Sequence, residues 1–90
     1  MDLQVTCVNK PHRQSPHEHI THIGGPTWRI TREDAIRRID ARADTFYTLV
    51  NGKRANVEVV REAGKHPYLK TKADGYWNDN LLALNDCPVR

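Results

Sequence analysis

Four of the five histidines, His12, His17, His19 and His22, fall within eleven residues of one another, and neutral imidazole is a favoured zinc or nickel ligand. On a regular strand His17 and His19 point to one side, about 6–7 Å apart along the chain, a separation that one metal bridges. His22 sits at an odd offset from both and points the other way. The run His17-Glu18-His19-Ile20-Thr21-His22 misses the helical zincin spacing by one residue, and no helix is expected there. Metal binding at the His17/His19 segment therefore ranks behind surface histidines, with His22 packed under the Gly24-Gly25 turn. No metal ligand is assigned.

Nucleophilic chemistry has less support. Ser15 stands in a proline-rich loop without a glycine elbow, Cys7 lies inside a predicted strand, and Cys87 is three residues from the last residue. A Cys87–His22 thiolate pair is the one arrangement left open, and no catalytic residue is assigned. Gly24-Gly25 precedes Pro26 and lacks the Lys-Ser/Thr of a phosphate loop, so no cofactor is expected either. Asp74, Asp79 and Asp86 lack the alternating pattern of a calcium loop and are read as turn and cap residues.

The most usable surface belongs to a β-hairpin. Asn51-Gly52 lies between Thr45–Val50 and Lys53–Val60, the strongest short-range hairpin signal because both turn positions need positive φ. A two-residue loop sets Val50 opposite Lys53, Thr48 opposite Ala55 and Phe46 opposite Val57, which sends Phe46, Val50, Ala55, Val57 and Val59 to the core. A second hairpin through Glu62–Lys65, drawn with a three-residue loop containing Gly64, sets Leu69 beside Val59 and Tyr68 beside Val60. The outward face then collects Tyr47, Leu49, Arg54, Val60, Tyr68 and Lys70. Aromatic rings beside cations form a surface on which unstacked bases lie. A solvated sheet face also carries such residues without any partner, and Glu58 in its middle repels phosphate. Tyr47, Leu49 and Tyr68 alternatively make a self-complementary patch for a homodimer or protein partner.

The remaining elements hold this face in place. Leu3, Val5 and Cys7 alternate with polar residues as one strand, and a short strand is expected over Glu18–Ile23, stopped at Gly24-Gly25-Pro26. Residues 9–17, rich in Pro and His, are expected to be an exposed loop. Thr31 caps a helix that ends near Asp44, with Ala35, Ile36, Ile39 and Ala43 on its buried stripe and Glu33/Arg37 and Asp34/Arg38 as outer ion pairs. Trp28 and Trp77 are read as closing ends of the core. Residues 81–84, Leu-Leu-Ala-Leu, form a short apolar segment of undecided type. The order strand-strand-helix-strand-strand-strand makes an α+β domain over 1–90, a mostly antiparallel sheet with one amphipathic helix on one face.

Compartment and partners follow from charge and thiols. The N-terminal residues lack a signal-peptide pattern, which suggests the cytoplasm, and no apolar run approaches the length of a membrane span. Cys7 and Cys87 show no metal or redox spacing and are expected to be reduced; a bridge is conceivable only if the two ends of the chain meet. A net charge of +3, spread along the chain, permits a nucleic-acid partner without arguing for one.

With these pieces in order, Ile20-Thr21-His22-Ile23-Gly24-Gly25, Tyr68-Leu69-x-Thr71, Asp74-Gly75 and Asp79-Asn80-Leu81-Leu82-x-Leu84-x-x-Cys87 together resemble a small bacterial and archaeal family of uncharacterised single domains. The resemblance covers roughly residues 3 to 87, with Asn85 standing where that family usually has Pro. It implies a compact α+β domain and carries no activity, substrate or cofactor. The resulting expectation is a non-enzymatic interaction module, with weak single-stranded nucleic-acid binding and then metal binding as alternatives.

Overall fold

The computed structural model describes residues 1–12, 14–73, 75–78 and 80–87. Strands run over Asp2–Gln4 (β1), Cys7–Asn9 (β2), His22–Gly24 (β3), Arg29–Thr31 (β4), Thr45–Val50 (β5), Lys53–Val60 (β6), Tyr68–Ala73 (β7), Tyr76–Asn78 (β8) and Asn85–Asp86 (β9). The helix α1 spans Arg32–Asp40 between β4 and β5. The strands form two sheets, β1-β5-β6-β7-β8 and β4-β3-β2-β9, rather than the single sheet expected. β1–β5 and β2–β9 pair in parallel and the other pairs are antiparallel. The α+β class holds; the expected element order is corrected by β4, β8, β9 and a divided first strand.

That division is set by two distant partners. The Val5 N–H donates to the Tyr47 carbonyl at 2.7 Å, whereas the next N–H, Thr6, donates to the Gly24 carbonyl at 2.8 Å. Successive amides thus serve different sheets. Burial alternates through Val5, Thr6 and Cys7 and breaks only at Val8, which is fully buried beside Cys7.

The Asn51-Gly52 turn behaves as its residues require, with φ of 52° at Asn51 and 75° at Gly52. Val50 opposes Lys53 and Thr48 opposes Ala55. Across the next pair Val59 opposes Leu69 and Val60 opposes Tyr68. The register is the expected one, but the ladder stops there and the loop is longer than three residues. Pro67 has no N–H to continue it, and Gly64 takes a positive φ of 77° in the intervening turn.

At the start of α1 the Thr31 hydroxyl accepts from the Asp34 N–H at 3.1 Å, satisfying one orphan donor of the first turn. Asp34 pairs with Arg38 at 3.2 Å and also with Arg37. Glu33 turns to Arg32 instead of Arg37. The helix ends at Asp40 rather than near Asp44, which leaves Ala43 exposed and off the buried stripe.

The core includes Val5, Val8, Ile20, Ile23, Ala35, Phe46, Val57, Leu69 and Leu81, with Trp28, Ile36 and Ile39 packed against it. Leu81 is fully buried although its segment is a turn, not a helix or strand. Asn78 directs the chain there: its side-chain oxygen accepts from the Thr71 hydroxyl and from the Asn80 N–H at 3.0 Å. Asp74 and Asp79, expected to serve in turns, lie outside the described residues.

Cys7 and Cys87 are joined in a disulfide across a sequence separation of 80, with Cα atoms 4.8 Å apart. This corrects the expectation of reduced thiols. Their neighbour explains Gly24: a Cβ there would lie 2.9 Å from both sulfurs and 2.8 Å from the Trp28 carbonyl oxygen. A Cβ on Gly25 would meet the Trp28 indole. The Gly24-Gly25 pair is therefore a close-approach floor beneath a disulfide and an indole, not just a strand-ending turn.

Candidate interaction face

Alternation along β5, β6 and β7 sends Phe46, Thr48, Ala55, Val57, Leu69 and Thr71 inward, all buried, and sends Tyr47, Leu49, Arg54, Asn56, Glu58 and Lys70 outward. The cross-strand register sets Gln4, Tyr47, Asn56, Lys72 and Trp77 in one row across the five strands. Each of its two aromatic rings meets a cation, Tyr47 from Arg54 in the adjoining row opposite Leu49, and Trp77 from Lys72 within the row. The Arg54 guanidinium sits 4.1 Å from the Tyr47 ring centroid, and the Lys72 ammonium sits 5.1 Å from that of Trp77. Leu49 is 48% exposed and Trp77 45% exposed.

Asp2 steadies the first pair. Its carboxylate accepts from the Thr45 hydroxyl at 2.7 Å and pairs with Arg54 at 2.8 Å. The Thr45 hydrogen bond and the Arg54 guanidinium hold its carboxyl below the ordinary value of 3.8. A depressed folded-state value means that the stabilisation is present above the unfolded pKa and is lost as pH falls through the lower, folded one. Asp2→Asn is expected to destabilise the domain near neutral pH by about 0.5 kcal/mol, the scale of an exposed pair. Urea unfolding from neutral to acid pH checks this: the gap between variant and parent closes as the medium becomes acid, and a gap that widens refutes the linkage.

The structure separates the expected face residues. Tyr47, Leu49, Arg54 and Lys70 lie on the outer face, with Lys70 opposite Glu58. Tyr68 does not contribute an accessible ring. It is 8% exposed, and its hydroxyl donates to Glu62 at 3.2 Å; burial first, and then the Glu62 charge, push its phenol above the ordinary 10.0. Trp77, assigned to the core from sequence, belongs to the face instead. Its place was hidden because β8 is only three residues long and carries no alternation to read.

The histidine cluster is dispersed. His17–His19 is a 3₁₀ turn rather than a strand, so residues two apart do not share a side. His17 is buried and His19 exposed. His22 sits on β3 with its Nδ1 3.0 Å from the Thr21 hydroxyl, and burial, followed by nearby Arg29, lowers its pKa from 6.5. Among the described residues no three His, Cys, Asp or Glu side chains are grouped to hold a metal. Nor is the expected loop wholly exposed: Ser15 is buried, its oxygen accepting from the His12 N–H at 3.1 Å.

A cleft of about 320 Å³ opens at the other sheet, lined by Cys7 and Cys87 together with Gly25, Trp28 and Arg29. Arg29 donates through Nε to the Asn9 side-chain oxygen at 2.6 Å, and the Asn9 amide nitrogen donates to the Cys87 carbonyl at 3.2 Å. The disulfide removes the thiolate nucleophile that a Cys87–His22 pair would need.

Among the described residues no helix is long and apolar enough to cross a membrane. No curated protein and no solved structure matches the chain. One family profile matches residues 4–85, nearly the whole sequence, and the chain belongs to that family, described as protein of unknown function (DUF3892).

Proposed function

We propose that this domain is a non-catalytic interaction module whose contact surface is the outer face of the five-stranded sheet. The carrying observation is the pair of cation–aromatic contacts on this face, Tyr47 with Arg54 from the adjoining row and Trp77 with Lys72, beside exposed Leu49. Aromatic and Arg side chains are enriched where surfaces carry binding energy. A protein partner, including a second copy of this chain, is the leading occupant.

Single-stranded nucleic acid is the second reading, and the position of Trp77 favours it. Rings on separate strands of one face give successive bases places to stack, and Arg54, Lys70 and Lys72 supply charge for the phosphates. Glu58 opposite Lys70 works against it.

One set of measurements distinguishes the two. Sedimentation with and without Leu49→Asp reports self-association, and an oligonucleotide titration at low salt follows the indole fluorescence and the Tyr47 resonances. Trp77→Ala is expected to weaken whichever complex forms at least tenfold, the scale of about 1.4 kcal/mol for one contact. A complex indifferent to both Trp77→Ala and Tyr47→Ala places the contact elsewhere and ends the proposal.

A further inference from the structure

Within the smaller sheet, the disulfide ties the central strand β2 to Cys87, the residue that follows the edge strand β9. β2 lies between β3 and β9, so Cys7 is fixed on both sides. Beyond the disulfide, β9 and its flank are held by the Cys87 N–H donating to the Val8 carbonyl at 3.1 Å and by Asn9 donating to the Cys87 carbonyl. Asn85 and Asp86 are exposed, whereas Leu81 just upstream is fully buried and the Lys10 ammonium donates to the Leu82 carbonyl at 3.0 Å. Both cysteines line the 320 Å³ cleft that also carries Trp28 and Arg29.

We propose that the Cys7–Cys87 bond is a reaction site for small anionic thiols, and that exchange there unlatches residues 85–87 from β2 while the rest of the domain stays folded. Arg29 at the cleft attracts the anionic reactant. Its thiolate forms a bond to one cysteine sulfur as the Cys7–Cys87 bond breaks, and the other cysteine leaves as a thiolate that takes up a proton. A second thiolate attacks the small thiol's own sulfur in that mixed disulfide. The products are one molecule of oxidised small thiol and two cysteine thiols, so two thiols are oxidised as one protein disulfide is reduced. The β2 edge then loses the strand that covers it, and Leu81 anchors the freed segment.

The test uses the folded, oxidised chain at about 10 °C, with reduced glutathione, which carries carboxylate charge besides its thiolate, and 2-mercaptoethanol, whose thiolate is its only charge. Alkylation and mass measurement count the thiols, and amide exchange follows the backbone. Both cysteines are expected to become alkylatable without denaturant. The Cys87 amide should exchange at least tenfold faster, with β6 and β7 unchanged. Arg29→Gln should slow the glutathione reaction several-fold more than the 2-mercaptoethanol reaction, since the lost bond to Asn9 and the lost attraction for a thiolate are common to both and only the pull on glutathione's carboxylates is not. Three results overturn the proposal: thiols that appear only in denaturant, simultaneous loss of protection in β6 and β7, or an Arg29→Gln variant that slows both thiols equally.

Discussion

Replacing Cys7 and Cys87 together with serine is expected to lower the unfolding temperature by roughly 10–25 °C, from a loss of about 2–4 kcal/mol. The bond spans 80 residues of sequence, nearly the whole chain. Without it the unfolded ensemble regains the conformations in which the two ends lie far apart, and a long closed loop makes that gain large. A typical small domain has about 5–15 kcal/mol in hand, so the variant should still fold in the cold. Thermal unfolding followed by circular dichroism measures the shift, and reduction of the parent protein should reproduce it. A double variant melting within a few degrees of the parent would mean that the denatured chain is already compact enough to keep its ends together.

Phe46→Ala should be comparably severe, at about 3–5 kcal/mol. Phe46 is 1% exposed, and its ring centroid lies 5.6 Å from that of Trp28. Phe46 belongs to the larger sheet while Trp28 immediately precedes β4 of the smaller, so truncation opens a void between the two layers. Leu49, three residues along the same strand, is 48% exposed, and Leu49→Ala should change stability by about 0.5 kcal/mol or less. Urea midpoints of the two variants read the facing of β5 directly. Equal losses, or a larger loss at Leu49, would put the wrong side of the strand against the core.

That facing was legible because a local cause determines it. Asn51-Gly52 admits one tight bend, the bend sets the pairing, and the period of two then assigns every side chain of β5 and β6. The Thr31 cap was legible for the same reason, since its acceptor and donor stand three residues apart. What escaped reading depends on distant chain. Val5 and Thr6 keep an unbroken alternation while their amides turn to different sheets. Gly24 looks like any turn glycine until two sulfurs from opposite ends of the sequence arrive above it.

The candidate face shows both cases. Tyr47 and Arg54 follow from the hairpin alone. Tyr68 also has outward parity, but Glu62 in the preceding loop binds its hydroxyl and the ring is buried, which parity cannot express. Trp77 needed the pairing of β8 with β7, a contact made through a tight hairpin whose second arm is three residues long.

The divided N-terminal strand also bears on the sequence of events in folding. The β5–β6 and β6–β7 ladders join neighbours in the chain, so they form through short-range encounters. The parallel pairs of β1 with β5 and β2 with β9 require segments far apart in sequence to find one another, which raises the entropy of closure. Because Val5 and Thr6 are adjacent, docking β1 on the preformed hairpins delivers β2 to its own partners in the same movement. The two sheets are thereby joined through a single peptide unit, the one between Val5 and Thr6.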